Sequence, residues 1–296
     1  MAKFASPNKQ AASVMKVLQT TAIKSVGTAR NYQQSLKNVS TWLADSKQGS
    51  LRELTIEKAI QYLDARSEEV GQKALDMDRQ AIQAMMIHVT HKLQENEKLK
   101  IVKSEQKQIL NSRAYTPAQA EMVSEHQSPK HSIATALAHS AGLRAHELLT
   151  LLPANERNAD KRDDKPILET KFLGRNGERY TVIGKGGLVR EVLISGKLSE
   201  QLEKLRLDEP VKVKDRNINY ETHYNIGGGK NWSNSFTEAS KRAVGWSTGA
   251  HGVRHSYAQE RMDELKKQGL HYKDALETVS QEMGHFRASI TETYLR

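Results

Sequence analysis

The sequence reads HGVRHSYA at residues 251–258 and MGHFRASITETYL at residues 283–295. Two earlier stretches carry similar residue types, AGLRAHELL at 141–149 and GKGGLVREVLIS at 184–195. Cleavage of a phosphodiester without a metal ion needs cations on the non-bridging oxygens, a proton donor for the leaving oxygen and a nucleophile. The four stretches supply all three, as two arginines, a lysine, two histidines and a tyrosine: Arg144, Arg254, Lys185, His251, His285 and Tyr294.

The charge of the chain points to a polyanionic partner. Its 296 residues include 45 Lys and Arg against 35 Asp and Glu, a formal net charge of +10. Such an excess favours nucleic acid, through phosphate neutralisation and release of counterions. A membrane partner is disfavoured, because the longest apolar stretch, around Ile133 to Leu143, is interrupted by His139 and Ser140, whereas a spanning helix needs about 20 apolar residues.

The chain contains no cysteine, which excludes a disulfide framework, a thiolate nucleophile and Cys-ligated zinc or iron–sulfur clusters. Its first ten residues, MAKFASPNKQ, lack the apolar region of a signal peptide. We therefore expect a cytoplasmic protein.

The length favours two domains. Three stretches of the first 96 residues have apolar side chains at helical spacing. The stretch 28–46 carries one such face: Tyr32, Leu36, Val39 and Leu43. A second stretch begins after Thr55, a predicted N-cap, and a third runs from Ile82 to Leu93. These patterns predict an N-terminal helical domain over residues 1–96.

Residues 97–113 are interpreted as a basic linker, because the apolar periodicity fades there and cations accumulate: Lys98, Lys100, Lys103, Lys107 and Arg113. Composition alone fits a solvated connector. In a protein that encloses DNA, the same cations would lie along the duplex and bind its phosphates.

A second domain is predicted over residues 114–296. It begins with Thr116 as N-cap and Pro117 at the first helical position, and helical pattern continues to Leu152. β-rich residues on both sides of Gly184–Gly187 predict a hairpin with Lys185 at its turn. The charged residues 153–165 and the glycine-rich residues 226–230 are predicted to form loops, and a helical pattern resumes from Ser235. The predicted fold is mainly α-helical with a small β-hairpin or sheet in this domain.

The four stretches, in this order and with the tyrosine close to the last residue, resemble the tyrosine recombinases, a family that includes phage integrases and Xer-type chromosome resolvases. The resemblance covers residues 114–296 through specific motifs, and residues 20–100 through a weaker helical pattern. It implies a two-domain clamp around duplex DNA, built from an N-terminal helical core-binding domain and a C-terminal α/β catalytic domain.

The resemblance implies that Arg144 and Arg254 hold the scissile phosphate and that Glu147 supports Arg144. Arginine suits this role because its planar fork donates parallel hydrogen bonds and stays protonated. Tyr294 is the implied nucleophile, and it would form a 3′-phosphotyrosine bond that stores the energy of the broken linkage. Neither ATP nor another cofactor, nor a metal ion, is then needed.

The remaining positions have implied roles in proton transfer and phosphate binding. His251 would accept the phenolic proton, since imidazole has a pKa near neutrality. Lys185 would protonate the leaving 5′ oxygen, and His285 would donate a hydrogen bond to the phosphate.

Each motif also has a plainer interpretation. Arg144 and Glu147 could form only an intrahelical ion pair at the surface. His251 and His255 form an HxxxH pair that could bind zinc, but Gly252 stands where a zincin helix needs glutamate. The GKGG segment extends neither to GxxxxGK[ST] nor to GxGxxG, so a nucleotide-binding loop is disfavoured.

The resulting hypothesis is a site-specific DNA recombinase that integrates and excises a mobile element. An Xer-like resolvase of replicon dimers uses the same parts, and a type IB topoisomerase shares the chemistry. A catalytically silent DNA-binding regulator is a rival from another class, although all six catalytic positions are filled. A basic RNA scaffold is disfavoured by the aromatic content of only 5%.

The expected partners are double-stranded DNA at a specific recombination site and further copies of the chain, forming a tetramer on DNA. An accessory DNA-bending or directionality factor is a further expectation, no membrane is expected, and the protein would associate with a bacterial nucleoid. Many relatives continue for a further helix after the nucleophile, whereas only Leu295 and Arg296 follow Tyr294 here, and we see no arm-binding module before residue 20. Either protomers couple through another surface, or the sequence is shortened at this end.

Overall fold

A computed structural model describes residues 4–162, 166–285 and 287–296. The chain divides into two compact units, Met1–Ile109 and Leu110–Arg296. The architecture is mainly helical with two small antiparallel sheets, which confirms the predicted fold class. In the described part of the chain, no helix combines the length and apolar character needed to cross a membrane.

The first unit consists of four helices, α1 to α4, around one apolar core. They are α1 Pro7–Thr21, α2 Val26–Asp45, α3 Ile56–Ser67 and α4 Gln72–His88. The predicted face of α2 is buried at Leu36, Val39 and Leu43, and Thr55 caps α3 by accepting a hydrogen bond from the Lys58 amide at 3.3 Å. The three predicted helices are confirmed, although α4 ends before Val89 and α1 was not predicted.

The predicted linker needs a correction in its first half. Leu99 and Val102 are buried in the core of the first unit, and the Leu99 amide donates to Gln83 at 3.1 Å. The Ser104 hydroxyl donates a hydrogen bond to the backbone carbonyl of Val70 at 2.6 Å. The boundary between the units falls later, after Ile109. Two apolar side chains therefore attach this basic segment to the helices, because their burial outweighs the cost of fixing the chain.

The second unit contains helices α5 to α11 and strands β1 to β5. The helices are α5 Pro117–Glu125, α6 Pro129–Ala141, α7 Gly196–Glu203, α8 Gly229–Val244, α9 Gly252–Lys267, α10 Tyr272–Glu282 and α11 Ala288–Glu292. The first sheet has the order β1-β2-β3, and the second pairs β4 with β5. The strands are β1 Leu152–Pro153, β2 Glu178–Ile183, β3 Val189–Ile194, β4 Arg206–Asp215 and β5 Ile218–Tyr224.

The predicted hairpin is β2 and β3, with Lys185 at the exposed turn. Its register pairs Tyr180 with Val192 and Val182 with Arg190, and all four residues are buried. Alternate residues of a strand share a face, so Arg190 lies on the core side of β3. This placement of a charged residue becomes important at the candidate site.

Other details of the second unit differ from the sequence prediction. Helix α8 begins at Gly229, six residues before the predicted helix and inside the predicted loop 226–230. Strands β4 and β5 were not predicted, because most of β4 is exposed and its sequence lacks apolar alternation. Residues 163–165, the end of the predicted loop 153–165, lie outside the described residues.

The helical pattern predicted up to Leu152 ends earlier, at Gly142. This residue caps α6 in the left-handed conformation, with φ of 58°, and the chain then turns into a 3₁₀ helix, Glu147–Thr150. A Cβ at Gly142 would lie 2.6 Å from Cδ1 of Tyr257, so only glycine fits between α6 and α9. The turn at Gly142 orients the segment that carries Arg144.

We predict that Gly142→Ala lowers the free energy of unfolding by about 2–4 kcal/mol, since it combines a strained backbone with overpacking. Gly196→Ala is the matched control, because a Cβ there meets nothing within 4 Å. Chemical unfolding of both variants measures the effect. Equal stability of the two variants would contradict this account of the turn.

Candidate active site

The second unit brings together the arginines, histidines and tyrosine predicted from the sequence. His251 Nε2 lies 3.1 Å from Tyr294 Oη, and Arg254 Nη2 lies 3.0 Å from His285 Nε2. The Arg254 guanidinium is also 5.6 Å from the centre of the Tyr294 ring. Arg144 joins this group through Glu147, which is within 4.0 Å of Arg254 as well.

Glu147 fixes Arg144 in two ways. Its carboxylate accepts from the Arg144 backbone amide at 2.7 Å and from Arg144 Nη1 at 2.7 Å. Glu147 is completely buried, so the pair is not the surface ion pair of the plainer interpretation. The Arg144 side chain keeps 20% of its surface exposed. It is therefore held at its base while part of the guanidinium can meet a ligand.

Arg190 is a third arginine at this point, and the sequence analysis missed it. Its Nη2 and Nε donate to the two Glu147 oxygens at 2.7 and 3.3 Å. Burial alone would raise the pKa of Glu147, but the charges of Arg190 and Arg254 outweigh it and hold that pKa far below its usual range. Alternation along β3 could have indicated Arg190, since it stands at an inward position.

Arg254 is fully buried on α9. It donates to the backbone carbonyls of Gly142 and Met283, while its Nε has no partner among the described residues. Burial, followed by the charge of Arg144, lowers the pKa of Arg254 to about 9. The guanidinium therefore stays protonated at neutral pH, and the hydrogen on its buried Nε is unused among the described residues.

Lys185 is at the β2–β3 turn, in the short 3₁₀ segment Lys185–Gly187, and it is exposed. The turn lies beside the buried pair, because a Cβ built on Gly184 would be 3.3 Å from Glu147 Oε1 and 4.0 Å from Arg144 Nη1. The fold thus presents a lysine on an exposed turn next to Arg144.

Tyr294 is enclosed by three imidazole rings and is only 9% exposed. The ring centres of His255, His285 and His251 lie 4.7, 5.1 and 5.4 Å from that of Tyr294. Gln259 donates from Nε2 to the Tyr294 carbonyl at 3.1 Å. Side chains of α9 therefore hold both the ring and the backbone of this tyrosine. From the sequence, the only role suggested for His255 is that of a zinc ligand.

The electrostatics keep the histidines neutral. Burial, followed by the charge of Arg254, lowers the pKa of His285 to about 3. The residue His251 is exposed overall, but desolvation of its imidazole ring against Tyr294, followed by the charge of Arg254, lowers its pKa to about 3 as well. Burial, followed by the charge of Arg113, lowers the pKa of His255 to about 4. A neutral His251 can accept a proton from the Tyr294 hydroxyl. We assign the His285 proton to Nδ1, which then donates to Thr291 Oγ1 at 3.0 Å and leaves Nε2 to accept from Arg254.

Over the described ranges, no group of three or more His, Cys, Asp or Glu side chains is arranged to hold a metal ion. His251 and His255 lie with ring centres 5.7 Å apart and planes at 83°.

The predicted DNA-binding cations are all exposed: Lys98, Lys100, Lys103, Lys107 and Arg113. The four lysines belong to the first unit and Arg113 to the second, where its Nη2 donates to the Thr248 carbonyl at 2.8 Å. Their role in DNA binding stays a prediction.

Comparison with solved structures identifies the fold. A lambda integrase tetramer bound to a Holliday junction matches with a TM-score of 0.61 and 15% identity, over 97% of this chain and 76% of that one. XerH site-specific recombinase, in a post-cleavage complex with a palindromic difH substrate, matches with a TM-score of 0.60 and 15% identity, over 98% of this chain and 81% of that one. The Tn1549 transposon integrase, in complex with transposon right end DNA, matches with a TM-score of 0.58 and 13% identity, over 99% of this chain and 95% of that one.

These proteins are tyrosine recombinases, so the chain has the tyrosine recombinase fold over nearly its whole length. No protein-family model and no curated protein matches its sequence.

The neutral histidines predict a pH dependence of stability. Below about pH 6.5, His255 and His285 bind protons in the unfolded chain but stay neutral when buried in the folded protein. The free energy of unfolding therefore falls as the pH is lowered. Each histidine contributes roughly 1.4 kcal/mol per pH unit until its folded pKa is approached.

Unfolding in urea between pH 7.5 and 5.0 checks this prediction. A Trp42→Phe background leaves Trp232 and Trp246, both in the second unit, as the fluorescent reporters. In that background His255→Phe should reduce the slope of stability against pH by about one proton. The same slope with and without His255 would show that its ring is not kept neutral by the fold.

Proposed function

We propose that this protein is a site-specific DNA recombinase that cleaves and rejoins strands through a 3′-phosphotyrosine intermediate. The observation that carries the proposal is the contact of Tyr294 Oη with His251 Nε2 at 3.1 Å, beside the buried guanidinium of Arg254. A hydroxyl, a neutral base and a fixed cation are the parts that attack on a phosphodiester requires. The fold shared with DNA-bound recombinases supports the same assignment.

The scissile phosphate would bind between Arg144 and Arg254. Arg144 offers the donors that Glu147 does not use, and Arg254 offers its unpartnered Nε. Arginine donors fixed in advance stabilise the charge that develops in the transition state without reorganising during the reaction. His285 would reach the same phosphate after its Nε2 gains a proton or exchanges tautomer, since that atom accepts from Arg254 in the free protein.

In the cleavage step, the Tyr294 oxygen forms a bond to phosphorus while its proton moves to His251 Nε2. The bond between phosphorus and the 5′ oxygen breaks, and its electron pair leaves with that oxygen. Lys185 donates the proton that completes the 5′ hydroxyl. The products are a 3′-phosphotyrosine and a free 5′ hydroxyl, and attack by another 5′ hydroxyl reverses the step on a new partner strand. Nothing is oxidised or reduced, and no high-energy cofactor is consumed.

Phosphate binding would also make His251 a better base. The pKa of this histidine is lowered by burial and by Arg254, followed by smaller contributions from His255, Arg113 and Arg144. An anion bound at the arginines offsets their field, so the proton affinity of His251 rises when the substrate arrives. Proton transfer from Tyr294 is then favoured in the complex over the free protein.

The first unit, together with the basic residues up to Arg113, would bind duplex DNA through phosphate contacts. A tetramer on DNA fits the exchange of two duplexes, and a lambda integrase tetramer occupies a Holliday junction in a neighbouring fold. We further propose that the reaction is integration and excision of a mobile element, and the likeness in fold to the lambda and Tn1549 integrases supports this choice. An accessory bending or directionality factor and association with a bacterial nucleoid are part of the same proposal.

Tyr294→Phe should abolish the covalent adduct and leave DNA affinity unchanged, because only the attacking oxygen is lost. The probe is a pool of nicked duplexes of randomised sequence, from which SDS-resistant adducts are captured and sequenced. Tyr272→Phe is the matched control, since Tyr272 is 51% exposed at the start of α10. An adduct that persists without the Tyr294 hydroxyl would refute its role as nucleophile.

Lys185→Ala should slow cleavage of the captured sequence by about 10²- to 10⁴-fold, the range for general acid catalysis. A substrate with sulfur at the 5′ bridging position should restore the rate, because a thiolate leaves without a proton. Lys197→Ala, at an exposed position of α7, provides the control. Failure of the sulfur substrate to rescue Lys185→Ala would assign the lysine to phosphate binding instead.

A further inference from the structure

Arg190 is buried where the strand pattern calls for an apolar residue. It alternates along β3 with Val192 and Ile194, which belong to the core of the second unit, and it is only 5% exposed. A buried cation is costly unless it is paired and its donors are satisfied. A valine or isoleucine at this position would complete the strand face at lower cost, so the arginine requires an explanation.

All three guanidinium nitrogens of Arg190 donate hydrogen bonds. Two of them meet Glu147, and Nη1 donates to the carbonyl of Glu282 at 2.6 Å. Nη2 also lies 3.4 Å from the carbonyl of Gly142. Gly284 makes room for this side chain, because a Cβ there would be 2.5 Å from Arg190 Cδ. The surrounding backbone is therefore fitted to an arginine.

Arg190 parallels Arg254 in the segments that it joins. Arg254 donates to the carbonyls of Gly142 and Met283, while Arg190 reaches Gly142 and Glu282. One of these segments precedes Arg144 and the other precedes His285. Arg190 therefore forms a second connection between the two segments, beside the one that Arg254 makes.

The charges at this point give Arg190 a second task. Glu147 orients Arg144, but its negative charge cancels one of the two arginines that face the phosphate. With Arg190 present, the three arginines and Glu147 carry a net charge of +2. A phosphodiester carries one negative charge and the pentacoordinate phosphorane carries two, so the cluster balances the transition state and not the ground state.

We propose that Arg190 is a positioning residue that neutralises Glu147, so that the full charge of both Arg144 and Arg254 acts on the phosphorane. This inference rests on the proposed recombinase function. It assigns to β3 a role in transition-state stabilisation without contact to the substrate. A purely structural arginine would hold the fold together and would be indifferent to the charge of the phosphate.

The test compares cleavage of two substrates by the same protein. One carries the ordinary phosphate at the captured cleavage site, and the other carries a methylphosphonate there, which has one negative charge fewer. The readout is the ratio of the two cleavage rates. A general loss of folding or DNA binding changes both rates together and leaves the ratio as it is in the wild type.

For Arg190→Met we expect the phosphate rate to fall by about 10- to 100-fold, less than the roughly 10²- to 10³-fold loss of a donor in direct contact. The methylphosphonate rate should fall by less than about threefold, so the ratio drops with the phosphate rate. Arg190→Lys keeps the charge and should keep the ratio of the wild type. Arg190→Gln is a second neutral variant in case Arg190→Met does not fold.

Two further variants sharpen the comparison. Arg175 also forms a bidentate pair with a glutamate, since it donates to both carboxylate oxygens of Glu264 at 2.8 Å. Arg175→Met should leave the ratio of phosphate to methylphosphonate cleavage rates unchanged. The double variant Glu147→Gln/Arg190→Met removes both buried charges and restores a net charge of +2, so its ratio should return to that of the wild type.

An unchanged ratio in the neutral Arg190 variants, with the wild type cleaving normally, would overturn this inference and leave the recombinase function intact. Absence of any covalent adduct from the wild type would overturn the proposed function, and this inference with it.

Discussion

The buried carboxylate of Glu147 is the interaction on which the candidate site depends. It is inaccessible to solvent, yet it accepts hydrogen bonds from both Arg144 and Arg190 and lies within 4.0 Å of Arg254. A carboxylate removed from water is stable only when cations and donors compensate its desolvation. Two of the compensating cations, Arg144 and Arg254, are also the groups that we propose to bind the phosphate, so the stability of this buried cluster and the orientation of the site have the same cause.

The cluster also determines how separate elements of the second unit meet. Arginines on β3 and α9 donate to carbonyls at the end of α6 and at the end of α10. Gly142 is needed at one of these ends, because its left-handed conformation and missing Cβ let α6 approach Tyr257. The segment after α10 then carries His285 to Arg254 and continues to Tyr294. Backbone carbonyls thus position side chains that are more than 100 residues apart in the sequence.

Much of the fold could be predicted from local patterns. The apolar face of α2, the N-caps Thr55 and Thr116 and the glycine-rich turn of the β2–β3 hairpin depend on short-range rules that the structure obeys. What escaped prediction depends on tertiary contacts. Helix α1 has a mixed composition, and strands β4 and β5 are paired with each other while β4 is mostly exposed, so neither has a clear periodic signal.

The site residues show the same division. Arg144, His251, Arg254, His285 and Tyr294 stand in recognisable motifs, and the structure brings them together. Arg190 stands beside Glu191 in a short strand, and no local rule relates it to Glu147, 43 residues earlier. The attachment of Leu99 and Val102 to the first unit was likewise concealed by the lysines around them. Clustered charges in a sequence indicate solvent exposure, whereas the pairing of two distant buried charges can be identified only from the folded structure.

The most direct test of the central claim is to locate the covalent bond by mass spectrometry. Trypsin cleavage after Arg287 releases the peptide ASITETYLR, residues 288–296, which contains a single tyrosine beside three serine or threonine hydroxyls. After nuclease trimming of the wild-type adduct, our account predicts a nucleotide joined through its 3′ phosphate to Tyr294, and a free 5′ hydroxyl on the other DNA end. A nucleotide attached to any other residue, or joined through its 5′ phosphate, would contradict it.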